Sequence, residues 1–446
     1  MELVEKGLVK NMHNVKARGL KAIILRKLGR AVEAEKWLAE NRKVDAFDYL
    51  SMFEMAWIRK NRGEDICPVL EQIKDRMSNP QESCLQTARD YAEAKCYEEA
   101  ETVLELCGEK KPMPVYYRAW YLQKQGKAKE SGRMYQCADA CDPAYCFPNK
   151  LEDIAVLEGA AAAYPQGAKA YYYLGNLYYD KLQFERAISL WEKSALRNDS
   201  YSTVHRNLAI AYFNKRKDTE KAVFHMEKAF HLDETDSRVF LELDQLYKKR
   251  EVSFEKRLKN YEAHMEIVKK RDDAMLELVT LYNLTGKYQK AYDTIMSHVF
   301  RPWEGAEGRI SGQYKIALTE MAKEAIVRGE HKKAEELLEK ALEYPVNLGE
   351  GKLEGTKDNL NLYDEVKEDF FAVSLPDFLI FEDDMEKKHK AHCYYLMGLS
   401  SLGMGVPKEA KKYFKKALEY DFNHQNSRSY FKMAEQMCQG ETNLQQ

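Results

Sequence analysis

The sequence predicts an all-α fold, a right-handed superhelical solenoid of helical hairpins. Three observations carry this. The spacing Leu174, Gly175, Tyr178, Ala187, Trp191 recurs along the chain. Apolar residues within each copy follow helical spacing, so each helix buries one face. Only 11 prolines and 22 glycines occur in 446 residues, which suits continuous helix. A length of 446 residues would otherwise suggest about three globular domains, but a solenoid departs from that estimate because each unit contacts only its neighbours.

The repeat is read in a frame in which Leu174 is position 7, Gly175 position 8, Ala187 position 20 and Trp191 position 24. Leu278, Val279, Tyr282, Gly286, Tyr288, Ala291 and Ile295 fit it without a gap. So do Met321, Ala322, Gly329, Ala334, Leu338 and Ala341, and so do Met397, Gly398, Gly405, Ala410, Phe414 and Ala417. Earlier copies hold Ala22, Leu25, Gly29, Ala34, Leu38; then Ala88, Tyr91, Tyr97, Ala100, Leu104; then Ala119, Leu122, Gly126, Tyr135, Ala138. One extra residue admits Leu208, Ala209, Tyr212, Ala222 and Ala229. Leu243, Tyr247 and Tyr261 form the weakest copy, because Arg257 stands where a small residue is expected. Small residues at positions 8 and 20 let two helix axes approach. Gly at position 15 permits the tight turn between them.

The pattern resembles the tetratricopeptide repeat, a helix–turn–helix of about 34 residues. Function in such arrays lies on a curved surface and on end loops rather than in one deep pocket.

Composition narrows the function classes. There are 70 basic and 72 acidic residues, a net charge of −2, so nucleic acid is not the expected partner. No apolar run approaches the roughly 20 residues of a membrane span. The start, Met1-Glu2-Leu3-Val4-Glu5-Lys6, lacks the basic-then-apolar order of a signal peptide, which predicts a cytoplasmic protein without a membrane partner. Nine cysteines scattered through helices do not make a disulfide framework. Cys137 and Cys141 share a helix face and Cys146 follows, but no CxxC or nearby His completes a tetrahedral set; they read as buried thiols. His389, His392 and Cys393 likewise lie near one face without a further ligand. Tyr171, Tyr172, Tyr173, Tyr178 and Tyr179 read mainly as core rather than as a base-stacking ladder. No phosphate loop, nucleophile elbow or HExxH is present, so no catalytic residue, metal or cofactor is expected.

Four regions follow: degenerate repeats over 1–169, regular repeats over 170–345, a loop and acidic insertion over 346–390, and a last repeat with its tail over 391–446. Residues 2–10 look like the second helix of a unit whose first is missing, so the chain is expected to be the C-terminal part of a longer protein. Residues 48–80 form an irregular unit, with Phe53, Ala56 and Trp57 on one helix and Val69 and Ile73 on the next. A helix from Leu151 to Ala163 ends at the break Tyr164-Pro165-Gln166-Gly167.

Two departures stand out. Val299 to Arg309 contains Pro302-Trp303-Glu304-Gly305 and Glu307-Gly308; Tyr344 to Lys352 contains Asn347-Leu348-Gly349-Glu350-Gly351. Each follows the second helix of its unit, and the units are consecutive, so the loops should lie side by side at one edge. The stretch 353–388 is acidic and aromatic, with Asp369-Phe370-Phe371 and Phe381-Glu382-Asp383-Asp384, and His389 is expected to begin the last repeat. The paired loops, together with Leu20 to Arg30, resemble the C-terminal array of large bacterial proteins that carry an uncharacterised N-terminal β-rich domain. That resemblance implies an absent domain similar to sugar-binding or sugar-processing β-sandwiches.

Two sets of candidate binding residues result. In the loops, Trp303 offers an aromatic platform, Glu304, Glu307 and Glu350 offer acceptors, Arg309 and Lys352 donors, and Asn347 both. On the concave face of the first helices stand Tyr172, Asn176, Tyr179, Arg206, Asn207 and Arg238, with Ile210, Phe213 and Asn214 beside them. Compared with the carboxylate-clamp version of the repeat, Asn176 and Asn207 match and Arg238 is a substitute. Tyr172 replaces a Lys, however, and Glu242 replaces an Arg, an acid that would repel a terminal carboxylate. The expected role is a non-catalytic scaffold for a protein domain or peptide within a larger bacterial protein. The alternative is an accessory part of a carbohydrate-processing enzyme, with a sugar as ligand. A peptide-responsive regulator would need a DNA-binding domain.

Overall fold

The computed structural model describes residues 1–106, 111–301, 308–343, 345–349 and 380–444, with side chains to 439. Among these residues the fold is all-α, with no strand. The chain divides into two compact units, Met1–Ser200 and Tyr201–Gln446.

The first unit holds α1 (Glu2–Lys10), α2 (Val15–Lys27), α3 (Ala31–Val44), α4 (Tyr49–Asn61), α5 (Cys67–Asp75), α6 (Pro80–Glu93), α7 (Tyr97–Glu105), α8 (Pro112–Lys124), α9 (Ala128–Ala140), α10 (Leu151–Ala163), α11 (Lys169–Asp180) and α12 (Phe184–Arg197). Successive helices pair as hairpins: α2 with α3, α6 with α7, α8 with α9, α11 with α12. Helix α10 packs on α8 and α11. Its Asp153 folds back over the helix start, accepting from the amides of Asn149 and Lys150 at 3.0 Å each. The other Asp153 oxygen accepts from the Tyr117 hydroxyl of α8 at 2.7 Å, which fixes α10 to its neighbour. Arg26 of α2 is buried and donates to Glu54 of α4 at 2.8 Å and Glu99 of α7 at 2.9 Å.

The second unit holds α13 (Ser202–Asn214), α14 (Thr219–Leu232), α15 (Ser237–Lys249), α16 (Phe254–Ala263), α17 (Met265–Val268), α18 (Asp272–Leu284), α19 (Tyr288–Met296), α20 (Arg309–Val327), α21 (His331–Lys340), a 3-10 turn at Val346–Leu348, α22 (Met385–Gly403), α23 (Pro407–Tyr420) and α24 (Gln425–Leu444). Helix α22 starts at Met385, four residues before the expected His389, because the Asp384 side chain caps it by accepting from the Lys387 amide at 3.0 Å. The last hairpin also contacts earlier helices of its unit. Phe422 stacks on Phe254 of α16 at 5.2 Å, and the Arg428 guanidinium lies 4.7 Å from both rings. Gln425 pairs with Gln313 of α20 at 2.9 Å.

The close approach predicted at position 8 is literal in two hairpins. A Cβ on Gly175 would lie 2.4 Å from the Trp191 ring, and one on Gly398 would lie 2.5 Å from Phe414. The turn at position 15 is left-handed wherever Gly29, Gly126, Gly286, Gly329 or Gly405 provides it. The same backbone conformation is held by Lys95, Leu182, Lys217 and Glu251 in the hairpins that lack the glycine.

Candidate functional site

The loop edge is built from α18, α19, α20 and the turn after α21. Asn347 is its pin. Its Nδ2 donates to the carbonyls of Ile295 at 2.8 Å and His298 at 3.0 Å, which terminate α19. Its own carbonyl accepts from the Phe300 amide at 2.8 Å. Asp272, first residue of α18, pairs with His298 Nε2 at 2.7 Å and accepts from the Arg301 amide at 2.9 Å. Phe300 and Leu348 are buried beneath this lattice. The chain segments leading to both Gly-Glu loops are therefore bonded to one another. The donor side of the Asn347 amide is engaged in that work. Arg309 is exposed at the start of α20, behind Gly308 in left-handed conformation. Trp303, Glu304, Glu307, Glu350 and Lys352 lie outside the described residues.

The concave-face candidates fall in both units. On α11, Tyr172, Asn176 and Tyr179 surround Trp191. Its indole nitrogen donates to the Tyr172 carbonyl at 3.3 Å and to Asn176 Oδ1 at 3.1 Å, and the Tyr179 ring lies 5.3 Å from it. Nearby Tyr173 and Tyr178 are buried, in keeping with a packing role. In the second unit, Arg206 of α13 forms a bidentate pair with buried Glu242 of α15 at 2.6 Å for each bond. Arg238 approaches the same carboxylate at 3.9 Å. Two guanidinium groups thus neutralise the acid that the sequence suggested would repel an anionic ligand. Asn207 is half-buried on α13.

The cysteines divide. Cys141 and Cys146 are buried, and burial pushes the Cys146 thiol up to about 11. Cys137, expected to be buried, is exposed, because it lies on the outward side of α9. No cluster of three metal-ligating side chains occurs among the described residues. None of the described helices is long and apolar enough to cross a membrane.

One constellation was missed as a unit. Asn214, at the end of α13, grips the backbone on either side of Phe381. Its Nδ2 donates to the Ile380 carbonyl at 2.6 Å and its Oδ1 accepts from the Glu382 amide at 2.9 Å. The Phe381 ring meets Phe213 edge to face at 5.3 Å and is 2 % exposed. Glu382 pairs with Lys215 at 2.8 Å and Lys217 at 2.6 Å. Asp383 pairs with Lys249 of α15 and Lys388 of α22. Both partners were visible as sequence features, the groove pair Phe213-Asn214 and the acidic run at 381–384. A separation of more than 160 residues hid their union.

Stacked two-helix units with small residues at the crossing and left-handed turns define a tetratricopeptide-type helical array. Residues 391–424 match the tetratricopeptide repeat family. Among solved structures, the chain is similar to MamA (41-end) from Desulfovibrio magneticus RS-1, at 16 % identity over 44 % of this chain and 99 % of that one, TM-score 0.26. It is also similar to YrrB, a TPR protein with an unusual peptide-binding site, at 13 % identity over 54 % of this chain and 97 % of that one, TM-score 0.21. A tetratricopeptide repeat protein from Parabacteroides merdae is 13 % identical over 80 % of this chain and 98 % of that one, TM-score 0.26.

Proposed function

We propose that this chain is a non-catalytic interaction scaffold of a larger bacterial protein in the cytoplasm. It presents the two Gly-Glu loops, with its concave face, to a partner domain or peptide. The observation that carries this reading is the Asn347 lattice. Two loops from consecutive hairpins leave a common, rigidly bonded base, which supports joint use of Trp303, Glu304, Glu307, Arg309, Glu350 and Lys352. A rigid base beneath a binding loop favours recognition because less freedom is lost on binding.

The test is capture of peptides from a displayed library by the full chain. Capture that falls at least tenfold on Trp303→Ala supports the scaffold. Binding to a glycan array, lost on the same substitution, supports instead the accessory role in carbohydrate processing. Hydrolysis by this chain alone overturns the non-catalytic reading.

A further inference from the structure

A second site, on the inner side of the second unit, has its own ligand chemistry on display. Asn214 satisfies both backbone groups flanking Phe381, a contact with the main chain that does not depend on side-chain identity. The side chains are then read one by one. Phe213 takes the aromatic ring, the Lys215 and Lys217 ammonium groups share the next carboxylate, and Lys249 takes the one after. Lys217 holds a left-handed backbone at φ 53°, at the turn position where other hairpins carry glycine. A lysine there accepts local strain, and its side chain reaches Glu382.

We propose that Phe213, Asn214, Lys215, Lys217 and Lys249 form a recognition site for a peptide with an aromatic residue followed by two acids. Ile380–Asp383 occupies it in cis, and the partner is a segment of another protein with the same chemistry. The inference rests on the reading of the array as a binding scaffold and adds what one of its surfaces accepts. The cis segment is covalently tethered, so its effective concentration is of millimolar order and it masks the site from weak competitors. A partner gains access by outcompeting it, which makes the site self-gated.

The experiment uses a fluorescent peptide of residues 378–385 and the full chain. Two hosts are compared, the unaltered chain and a chain with Phe381→Ser, Glu382→Gln and Asp383→Asn. The peptide should bind the altered host at least tenfold more tightly. Lys217 is 66 % exposed, so Lys217→Glu in that host threatens no packing. It should weaken binding at least tenfold, and a peptide carrying Glu382→Gln, which no longer opposes the new carboxylate, should bind this variant more tightly than the unaltered peptide does. Equal affinity in both hosts, binding to neither, or a neutral peptide that gains nothing overturns the proposal. If the altered host does not fold, Asn214→Ala in the otherwise unaltered chain decides. Exchange of the Glu382 amide hydrogen must accelerate at least tenfold while α13 stays protected, and an unchanged rate overturns the proposal. Trp303→Ala must leave peptide affinity unchanged, so failure of the loop reading and failure of this one are separable.

Discussion

The α11–α12 and α15–α16 hairpins fill the same frame with opposite chemistry. In the first, Gly175 and Ala187 stand at the crossing and Trp191 fills the gap. In the second, Asp244 takes the place of the glycine and Arg257 that of the alanine, after one extra residue. Arg257 is 1 % exposed and fully engaged. It donates to both Asp244 oxygens at 2.8 and 2.7 Å and to Glu277 of α18 at 2.7 Å, while the Tyr261 hydroxyl donates to Asp244 at 3.1 Å. A small–small pair has been exchanged for an ion pair of compatible shape. The frame specifies where two helices meet, and either packing or paired charge can hold them there. The largest effect is expected where that pair is broken. Arg257→Met leaves the buried Asp244 carboxylate without its cation and should destabilise by about 3–5 kcal/mol. Adding Asp244→Leu should recover most of the loss, since replacing a whole buried pair by apolar groups is often close to neutral. Urea unfolding followed by circular dichroism checks both, and a double variant no better than the single one would separate Asp244 from Arg257.

The apolar hairpin breaks differently. A Cβ on Gly175 would sit 2.4 Å from two atoms of the Trp191 ring, which is itself held by Asn176 and the Tyr172 carbonyl. Gly175→Ala should therefore cost about 1–3 kcal/mol by overpacking. The same urea experiment measures it, and a shift in Trp191 emission locates it. No partner substitution of charge rescues this variant, in contrast to the ionic hairpin.

This contrast also explains what was legible beforehand. Helical hairpins and their turns repeat locally, so residues three to thirteen apart in the frame revealed them. The helix from Leu151 to Ala163 was recognisable with both of its ends. Arg257 looked like a defect because its compensation is split between Asp244 in the preceding helix and Glu277 in the next unit. A reading that judges each position alone sees a lost small residue and no gain. Asn347 was identified, but as a ligand group. Its bonds to the end of α19 cross 52 residues and leave no periodic trace. The docking of Phe381 on Asn214 and Phe213 was hidden for the same reason.

Acid separates the two hairpins on a finer scale. Burial alone would raise the Glu277 carboxyl, but Lys248 and Arg257 outweigh it and hold the group well below its ordinary value. A depressed carboxylate stabilises the fold above the unfolded value of about 4.3 and loses that contribution as pH falls through its own lower value. The crossing of α11 and α12 contains no carboxylate: Glu158, which accepts from Tyr178 and Arg186, lies at the surface. Below about pH 4, α15, α16 and α18 should therefore lose hydrogen-exchange protection before α11 and α12. The reverse order would show that the ion network is not what holds its hairpin.

The smallest expected effect concerns what the two hairpins share. Leu182 turns the first at φ 61° and Glu251 turns the second at φ 53°. Both side chains are exposed. A left-handed residue other than glycine carries roughly 1–2 kcal/mol of strain from its Cβ. Glycine relieves this but adds about 0.5–1 kcal/mol of freedom to the unfolded chain. Leu182→Gly and Glu251→Gly should each stabilise by about 0.5–1 kcal/mol, seen as a small rise in the urea midpoint. The gains should be equal within error, because the turn's demand comes from backbone geometry and is indifferent to whether tryptophan or arginine lies beneath it. A gain confined to one hairpin would mean that its core chemistry reaches the turn, and that frame and filling are not independent.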